Sequence, residues 1–404
     1  MTDDAIGVLA DRIVALDLAG PVGIAVSGGS DSTALLVAAG IARTDIRAAT
    51  VDHGLRPDAH AEAEAVAKLC ARHGWPHRVL DLSLSEGPNL QARAREARYA
   101  ALADWAHGAG IGTVLLGHTA DDVAETLVMR LARGAGIDGL ARMAACRRSR
   151  GIDWHRPALT LTRGSLRDAL RTRGVGWSDD PSNADPAFAR TAARTAIDTL
   201  DLDISALAAT AQALDDARES LARHALAVAR AHVREDRGDL VMDGAALRIR
   251  HGTDPDPLPR ILLAGLAWIG GRPYGPRRDE RRHLLAAALE GRPATLAGCL
   301  LTHEGDTMRL AREVAACAPP GPTTAPWDGR WQISGPHGDG HLVAALGDDI
   351  GQTPWREAGL PRTSLLASPA VRDGARLVAA PLAGLANGWS AQTHHPFTEA
   401  LIRR

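Results

Sequence analysis

The chain has 404 residues, of which 45% are hydrophobic and 23% are charged, and its formal net charge is −2 at pH 7. This length allows two or three domains, and the composition is that of an ordinary globular protein rather than a disordered or fibrous one. No apolar run reaches the roughly 18–20 residues that a membrane-spanning helix needs. The acidic residues 1–4 lack the basic and apolar parts of a signal peptide.

Cysteine usage points to the same kind of protein. The four cysteines are widely spaced and form no Cys-x-x-Cys motif; they are Cys70, Cys146, Cys299 and Cys317. This spacing argues against structural zinc and iron–sulfur sites, and it suits a reducing compartment. We therefore expect a cytoplasmic protein that makes no contact with a membrane.

The most informative stretch follows the first predicted strand. Residues 22–26 form a short apolar run and residues 33–39 have a helical pattern, which predicts a strand, a tight turn and a helix N-terminus. The turn itself consists of Ser27, Gly28, Gly29, Ser30, Asp31 and Ser32. Glycines allow the backbone to approach a ligand, while hydroxyls and unpaired helix N–H groups donate hydrogen bonds. The stretch predicts a polyphosphate site.

Other phosphate-binding motifs do not match this turn. No Gly-Lys-Ser/Thr follows it, Lys68 is the single lysine of the chain, and the turn does not have the dinucleotide pattern Gly-x-Gly-x-x-Gly. A carboxylate beside a phosphate is repelled unless a cation lies between them, so Asp31 indicates Mg²⁺. The alternative is that Asp31 and the serines only cap the helix after a glycine turn.

Strands and helices then alternate along the chain. We predict strands at residues 46–51, 77–82 and 113–117, and helices at 58–70, 90–107 and 120–133. This alternation predicts a doubly wound, parallel α/β sheet, in which ligands bind at the carboxyl ends of the strands. Residues 27–32, 52–56 and 117–125 follow three such ends and should lie close together.

Two pairs of charged residues occur at helical spacing. Asp122 and Glu125 share one face of a helix, either as a pocket for Mg²⁺ or an ammonium group, or as a favourable first turn. Arg95 and Arg98 are one helical turn apart. They form either a solvated basic face or a bidentate contact to a phosphate or carboxylate.

The chain from residue 130 to 173 is rich in arginine. The arginines are Arg130, Arg133, Arg142, Arg147, Arg148, Arg150, Arg156, Arg163, Arg167, Arg171 and Arg173. A basic stripe of this kind suits an RNA backbone. The alternative is a bias in composition, because arginine has replaced almost every lysine in this chain.

The pattern changes beyond residue 200. We predict a long helix at residues 202–234, a strand at 240–242, helices at 258–268 and 281–289, and a hairpin at 294–310. Residues 315–326, rich in proline and alanine, resemble a linker. The expected domains are therefore a catalytic domain at 1–200, a helical and mixed domain at 201–315, and a small β-rich domain at 325–404.

The turn at 27–32 resembles the pyrophosphate loop (PP-loop) of ATP pyrophosphatases, and further motifs look like the tRNA(Ile)-lysidine synthetase family. They are Val51-Asp52-His53-Gly54-Leu55-Arg56, residues 89–99, Gly117-His118 through Thr126, Arg133-Gly134 through Leu140, residues 156–159, Asp179-Asp180-Pro181-Ser182-Asn183 and residues 188–190. The resemblance covers roughly residues 20–200, with a departure at Thr191–Arg194, where the family usually has Asn, another residue and Leu or Ile before Arg.

The resemblance implies a two-step ligation. ATP adenylates the wobble cytidine of a CAU-anticodon isoleucine tRNA and releases pyrophosphate; free L-lysine then displaces AMP to form lysidine. Residues 27–32 would hold the pyrophosphate and its Mg²⁺, with Asp31 as the metal ligand, and Asp52, His53 and His118 would lie near the nucleotide. Asp122 and Glu125 would recognise lysine or the metal. Arg98, and less directly Arg95, would contact the α-phosphate or the lysine carboxylate, while Arg133, Gly134 and Arg190 would bind substrate.

The resemblance also implies that the C-terminal domains bind tRNA, and a homodimer is one expectation for the assembly. Two other functions stay open. A PP-loop tRNA thiolase needs a cysteine pair or an iron–sulfur cluster, and the cysteines here have no evident partners. A non-catalytic nucleotide- or RNA-binding module would not need Asp31, Asp122 and Glu125 around an anion.

Overall fold

The computed structural model describes residues 4–52, 59–82, 87, 90–179, 189–271 and 275–402. The chain divides into two compact units, Met1–Arg218 and Glu219–Arg403. Each cluster of buried apolar side chains in these residues belongs to one unit or the other. None of the described helices has the length and hydropathy that crossing a membrane requires. The three-domain division stays a prediction beside these two units.

The first unit alternates strands and helices, as the sequence predicts. In chain order its elements are α1 (Ala5–Ala15), β1 (Val22–Ala25), α2 (Ser30–Ala42), β2 (Ile46–Asp52), α3 (Ala59–His73), β3 (His77–Asp81), α4 (Leu90–Gly108), β4 (Thr113–Leu116), α5 (Ala120–Leu131), α6 (Ile137–Leu140), β5 (Cys146–Ser149), β6 (Ile152–His155), α7 (Arg163–Thr172) and α8 (Ala189–Thr199). The long helix α9 (Ile204–His232) follows and continues into the second unit.

The six strands of this unit form one sheet in the order β3-β2-β1-β4-β6-β5. Neighbouring strands from β3 to β6 are parallel, so the expected parallel α/β fold is confirmed. The sheet is mixed, however, because β5 pairs antiparallel with β6. This hairpin was missed in the sequence, where it lies in an arginine-rich stretch. Only Ile152 and Trp154 of the hairpin are buried, which is too short an alternation to indicate a strand.

Helices cover both faces of this sheet. Ile24 and Leu115 point into a core that includes side chains of α1, α2 and α7. The neighbouring residues Ala25 and Leu116 point to the opposite face, against side chains of α4. Successive side chains of a strand alternate between faces, so strands buried on both faces have continuous apolar runs.

The second unit is a mixture of helices and antiparallel strands. Its elements are β7 (Val233–Asp236), β8 (Asp239–Asp243), α10 (Gly244–His251), α11 (Pro257–Gly270), α12 (Arg278–Glu290), β9 (Ala294–Leu296), β10 (Cys299–Glu304), β11 (Thr307–Arg312), β12 (Gly321–Pro322), β13 (Trp331–Ser334), β14 (His341–Ala345), α13 (Arg362–Leu366), β15 (Pro369–Asp373), β16 (Arg376–Ala379), β17 (Ser390–Thr393) and α14 (Phe397–Ile402). Its sheets have the orders β7-β8-β11-β10-β9, β12-β14-β15-β16 and β13-β17.

Two expectations for this region can be compared with the structure. The predicted hairpin is confirmed, because β10 pairs antiparallel with β11 and Glu304 faces Thr307 across the turn. The segment 315–326, which resembled a linker, instead packs into the unit. Its strand β12 pairs with β14, and Cys317 packs against a buried apolar cluster. This proline- and alanine-rich segment therefore supplies the edge strand of a sheet rather than a linker.

Candidate active site

A cavity of about 490 Å³ lies at the carboxyl ends of β1, β2 and β4 in the first unit. Residues from all three strand ends contribute to its wall, as expected for a parallel sheet. Its polar side chains come from the predicted loop and from other elements of the unit. The polar residues outside the loop are Thr50, Glu62, Arg98, His118, Asp122, Arg163, Arg167, Ser178, Asp179, Arg190 and Arg194.

The loop between β1 and α2 is shaped to bind an anion. Gly28 has a φ of +89°, a left-handed conformation that favours glycine. The Ser32 hydroxyl accepts a hydrogen bond from the Ser27 N–H and donates one to the Gly29 carbonyl, both at 3.1 Å. No described side chain caps the N-terminus of α2, which begins at Ser30. Its first N–H groups therefore remain available to a phosphate.

The strand β4 ends in direct contact with this loop. A Cβ atom added to Gly117 would lie 2.9 Å from the Ser32 Cα and 3.0 Å from the Ser32 nitrogen. These are backbone atoms that no rotamer change can move, so residue 117 has to be glycine for the strand and the helix to meet. The sequence signal for this contact was one glycine directly after an apolar strand.

Asp31 and Glu125 are joined by an arginine that the sequence analysis assigned to the RNA-binding stripe. Arg163 Nε donates to Asp31 Oδ2 at 2.9 Å, and its Nη1 lies 3.5 Å from Glu125 Oε1. Burial raises the pKa of the Asp31 carboxyl, although the Arg163 guanidinium opposes this shift. Burial lowers the pKa of Arg163, but the carboxylates around it, Asp31 first, outweigh that and raise it above its usual value. The Arg163 guanidinium is therefore charged at neutral pH and pairs with Asp31.

Asp122 and Glu125 lie at the start of α5 but in different surroundings. Asp122 Oδ2 accepts a hydrogen bond from the Thr119 N–H at 2.9 Å, while its other oxygen lies 3.6 Å from Arg190 Nη1. Glu125 is not part of the cavity wall; its side chain is only 1% exposed. Arg194 Nε donates to Glu125 Oε1 at 2.5 Å. Asp122 thus both caps a helix and faces the cavity, whereas Glu125 lies behind two arginines.

Arg98 and His118 extend the wall on the β4 side. Burial lowers the pKa of Arg98, and the charges of Arg95 and Arg190 contribute in the same direction. Burial also lowers the pKa of His118 to about 4, so its imidazole is neutral at pH 7. The buried His118 Nδ1 has no hydrogen-bond partner in the described residues, which leaves it able to bind a ligand atom.

Other predicted residues lie away from this cavity. Arg95 is exposed and stacks over the Tyr99 ring at 5.2 Å, and Asp52, at the end of β2, does not line the cavity. Arg133 and Gly134 follow α5 and do not line it either. His53 lies outside the described residues. The structure therefore groups the loop, Arg98, His118, Asp122 and Arg190 around one cavity, whereas Asp52, Arg95, Glu125, Arg133 and Gly134 are not part of its wall.

The arginine stripe is not a single open surface. Arg163 and Arg167 line the cavity, and Arg167 Nε donates to the Ser30 hydroxyl at 3.1 Å. Arg156 is buried and donates to the Ala144 carbonyl at 2.8 Å. Others pair with carboxylates distant in sequence, such as Arg173 with Asp4. All four have protein partners that could not be located from the sequence, and an RNA-facing role for the stripe stays a prediction.

The cysteines offer no thiol chemistry at the cavity. All four are free and none lines the cavity. Burial raises the pKa of Cys70 and of Cys317 to about 11, and it also raises the pKa of Cys146. Within the residues that the structure describes, no three His, Cys, Asp or Glu side chains cluster as metal ligands would. Thiolation uses a thiolate or an iron–sulfur cluster held by cysteines, and no cysteine side chain lines this cavity.

Comparison with known proteins adds a family to this geometry. The PP-loop domain family matches residues 10–200. A tRNA(Ile)-lysidine synthase of Ruegeria pomeroyi is 44% identical over 384 residues, which cover 92% of this chain and 90% of the relative. One from Hyphomonas neptunium is 38% identical, covering 80% of this chain and 87% of the relative. A solved structure of the U34-tRNA thiolase NcsA from Methanococcus maripaludis covers 52% of this chain and 78% of its own at 15% identity, with a TM-score of 0.44, too distant to bear on function.

Proposed function

The chain belongs to the tRNA(Ile)-lysidine synthase family, and on that premise we propose how its cavity performs the family's reaction. The enzyme is an ATP-using ligase that modifies tRNA(Ile). In the reaction we propose, the wobble cytidine of a CAU anticodon is adenylated first, and the amine of free L-lysine then displaces AMP. The observation that carries this proposal is that one cavity wall combines the phosphate-binding loop with the Asp122 carboxylate, which suits a cationic amino acid.

The loop Ser27–Ser32 would hold the phosphates of ATP. The uncapped start of α2 and the left-handed Gly28 suit that role, because both present backbone N–H groups to an anion. The Asp31 carboxylate fits Mg²⁺, which binds one or two carboxylates together with phosphate oxygens. Bound there, Mg²⁺ would neutralise the charge of the leaving pyrophosphate. We assign His118, and with it Asp52 and His53, to the nucleotide.

The carboxylates of α5 would recognise lysine. Asp122 faces the cavity with one oxygen, and Glu125 lies one helical turn further along. Arg98 lies in the cavity wall, where a guanidinium can bind the α-phosphate or the lysine carboxylate with two hydrogen bonds. Arg190 contacts Asp122 and would bind substrate, as would Arg95, Arg133 and Gly134 at the rim or beyond it.

The proposal extends to partners and assembly. The tRNA would reach the cavity in the cytoplasm, with the regions 201–315 and 325–404 binding the remainder of the molecule. Exposed arginines on α12, such as Arg281 and Arg282, suit a phosphate backbone. A homodimer is the proposed assembly.

The test is incorporation of radiolabelled lysine into a CAU-anticodon isoleucine tRNA transcript with ATP and Mg²⁺. We expect label with the wild type, none with Asp31→Ala, and wild-type incorporation with Asp168→Ala, because Asp168 is exposed on α7. Pyrophosphate release that depends on tRNA but brings no label would contradict lysine as the nucleophile. No pyrophosphate release under any condition would contradict the ligase.

A further inference from the structure

Arg163 contacts residues that we assign to both steps of the proposed reaction. Its guanidinium contacts Asp31, which lies on the phosphate loop, at 2.9 Å, and Glu125, which lies on the lysine side, at 3.5 Å. Its backbone N–H donates to Asp121 Oδ2 at 2.7 Å, which fixes the start of α7. The backbone of this residue is thus held in place while its side chain bridges two carboxylates.

Glu125 cannot receive an ammonium group in this arrangement. Both contacts from Arg163 and Arg194 are made to Oε1. The other oxygen, Oε2, is buried and has no hydrogen-bond partner among the described residues. The two arginines line the cavity, whereas Glu125 does not. A lysine side chain can therefore reach Oε2 only after one of these arginines has moved.

We propose that Arg163 is a positioning residue shared by the two subsites, and that nucleotide binding at the loop draws it away from Glu125 and so opens the lysine subsite. This inference rests on the proposed function, in which lysine binds at Asp122 and Glu125. It adds an order of binding, with nucleotide before lysine, and it assigns that order to one side chain.

The charges explain why Arg163, rather than Arg194, is the residue that moves. A cation placed at Asp31 competes directly with the Arg163 guanidinium for the same carboxylate. Phosphate oxygens at the loop offer Arg163 a new partner with higher charge, and bidentate contacts between arginine and phosphate are strong. Arg194 Nε donates to Glu125 Oε1 at 2.5 Å, and we expect this contact to remain when the loop is occupied. One guanidinium then remains at a carboxylate that has an oxygen free for the substrate.

The proposal requires thermodynamic coupling between the ligands. If nucleotide opens the lysine subsite, lysine must tighten nucleotide binding by the same factor. Couplings between sites are typically about 5- to 150-fold, and we expect a value of about tenfold or more here.

The first test uses the wild-type protein. The dissociation constant of labelled lysine is measured by equilibrium dialysis, with and without a non-hydrolysable α,β-methylene analogue of ATP and Mg²⁺. We expect lysine to bind about tenfold or more tightly with the analogue, and the analogue to gain the same factor from lysine. Equal lysine affinity in both conditions, or lysine that fails to bind with the analogue present, overturns the coupling. The tRNA-labelling assay decides independently whether lysine is a substrate.

Two variants then assign the coupling to Arg163. We expect Arg163→Gln to bind lysine without nucleotide at least as tightly as the wild type does with it, which brings the coupling factor close to one. Arg171→Gln, on the exposed face of the same helix, should keep the wild-type coupling. A purely structural role for Arg163 would instead weaken lysine binding in both conditions, and that result contradicts the proposal. Circular dichroism at the assay temperature verifies that both variants are folded.

Discussion

His118 lines the cavity with a neutral imidazole. Keeping this imidazole neutral lowers the stability of the folded protein at acidic pH. Its pKa is about 4 in the folded protein because of burial, against an ordinary value of 6.5. Between these pH values the unfolded chain binds the proton and the folded protein does not, so stability falls as the pH falls from 6.5 towards 4. A neutral imidazole at pH 7 can accept a hydrogen bond from the nucleotide, which a protonated one cannot.

We expect His118→Gln to remove this pH dependence. The unfolding free energy of the wild type minus that of the variant should decrease by about 2 kcal/mol between pH 7 and pH 5. Denaturant unfolding at several pH values in that interval measures the difference. His60→Gln, at an exposed position of α3, is the control. Its unfolding free energy should change with pH in the same way as that of the wild type. Parallel curves for His118→Gln would contradict a neutral, buried His118.

Asp122 combines a helix cap with a charge at the cavity. Asp122→Asn keeps an oxygen that can accept the Thr119 N–H but removes the negative charge. Because a hydrogen bond to a charged group contributes about 1.5–3 kcal/mol, we expect the KM for lysine to rise about tenfold or more and the KM for ATP to change little. Steady-state kinetics with each substrate varied in turn separates the two. An equal rise in both constants would indicate a general disturbance of α5, and Asp168→Asn should change neither.

At the scale of elements, the site depends on how closely β4 approaches α2. We expect Gly117→Ala to lower the unfolding free energy by about 1–3 kcal/mol, since its Cβ would press on the Ser32 backbone. Nucleotide affinity should fall as well, because the loop shifts with Ser32. Calorimetry of unfolding and of binding of the ATP analogue measures both effects.

The same strand supplies the control for this prediction. Gly112 comes directly before β4, and a Cβ atom there would meet nothing within 4 Å. Gly112→Ala should therefore keep wild-type stability and nucleotide affinity. If the two alanine variants behaved alike, the close contact at Gly117 would not be what shapes the loop.

For the whole molecule, the separate cores of the two units allow binding and stability to be tested separately. Leu115 is fully buried in the first unit and Leu310 in the second. We expect either leucine-to-alanine change to lower the unfolding free energy of its own unit by about 2–5 kcal/mol. Leu310→Ala should leave the affinity for the ATP analogue unchanged, whereas Leu115→Ala, in the strand that leads to Gly117, should weaken it.

Hydrogen exchange, read by mass spectrometry for each unit, measures this difference. Bound analogue at 100 times its dissociation constant should stabilise the first unit by about 2.7 kcal/mol. Weaker nucleotide binding in Leu310→Ala would show that the second unit supports the loop.

Local patterns in the sequence were sufficient to predict the parallel sheet of the first unit and the strand ends at which the cavity lies. The loop Ser27–Ser32 and the alternation of strands and helices predicted the parallel sheet and the strand end at which the cavity lies, because turn chemistry and hydrophobic periodicity act over a few neighbouring residues. The hairpin β5–β6 and the packing of residues 315–326 were not predicted, since each depends on pairing with a strand elsewhere in the fold.

The sequence by itself determined which charged residues this protein has near its strand ends, and the tertiary structure decided which of them meet. Asp31 and Glu125 were found from local spacing, but their shared partner Arg163 is 132 residues from Asp31 along the chain. Arg163 therefore looked like one member of a basic stripe. The carboxylate with which an arginine pairs depends on distance and burial. Both are determined by how α2, α5 and α7 pack around the sheet.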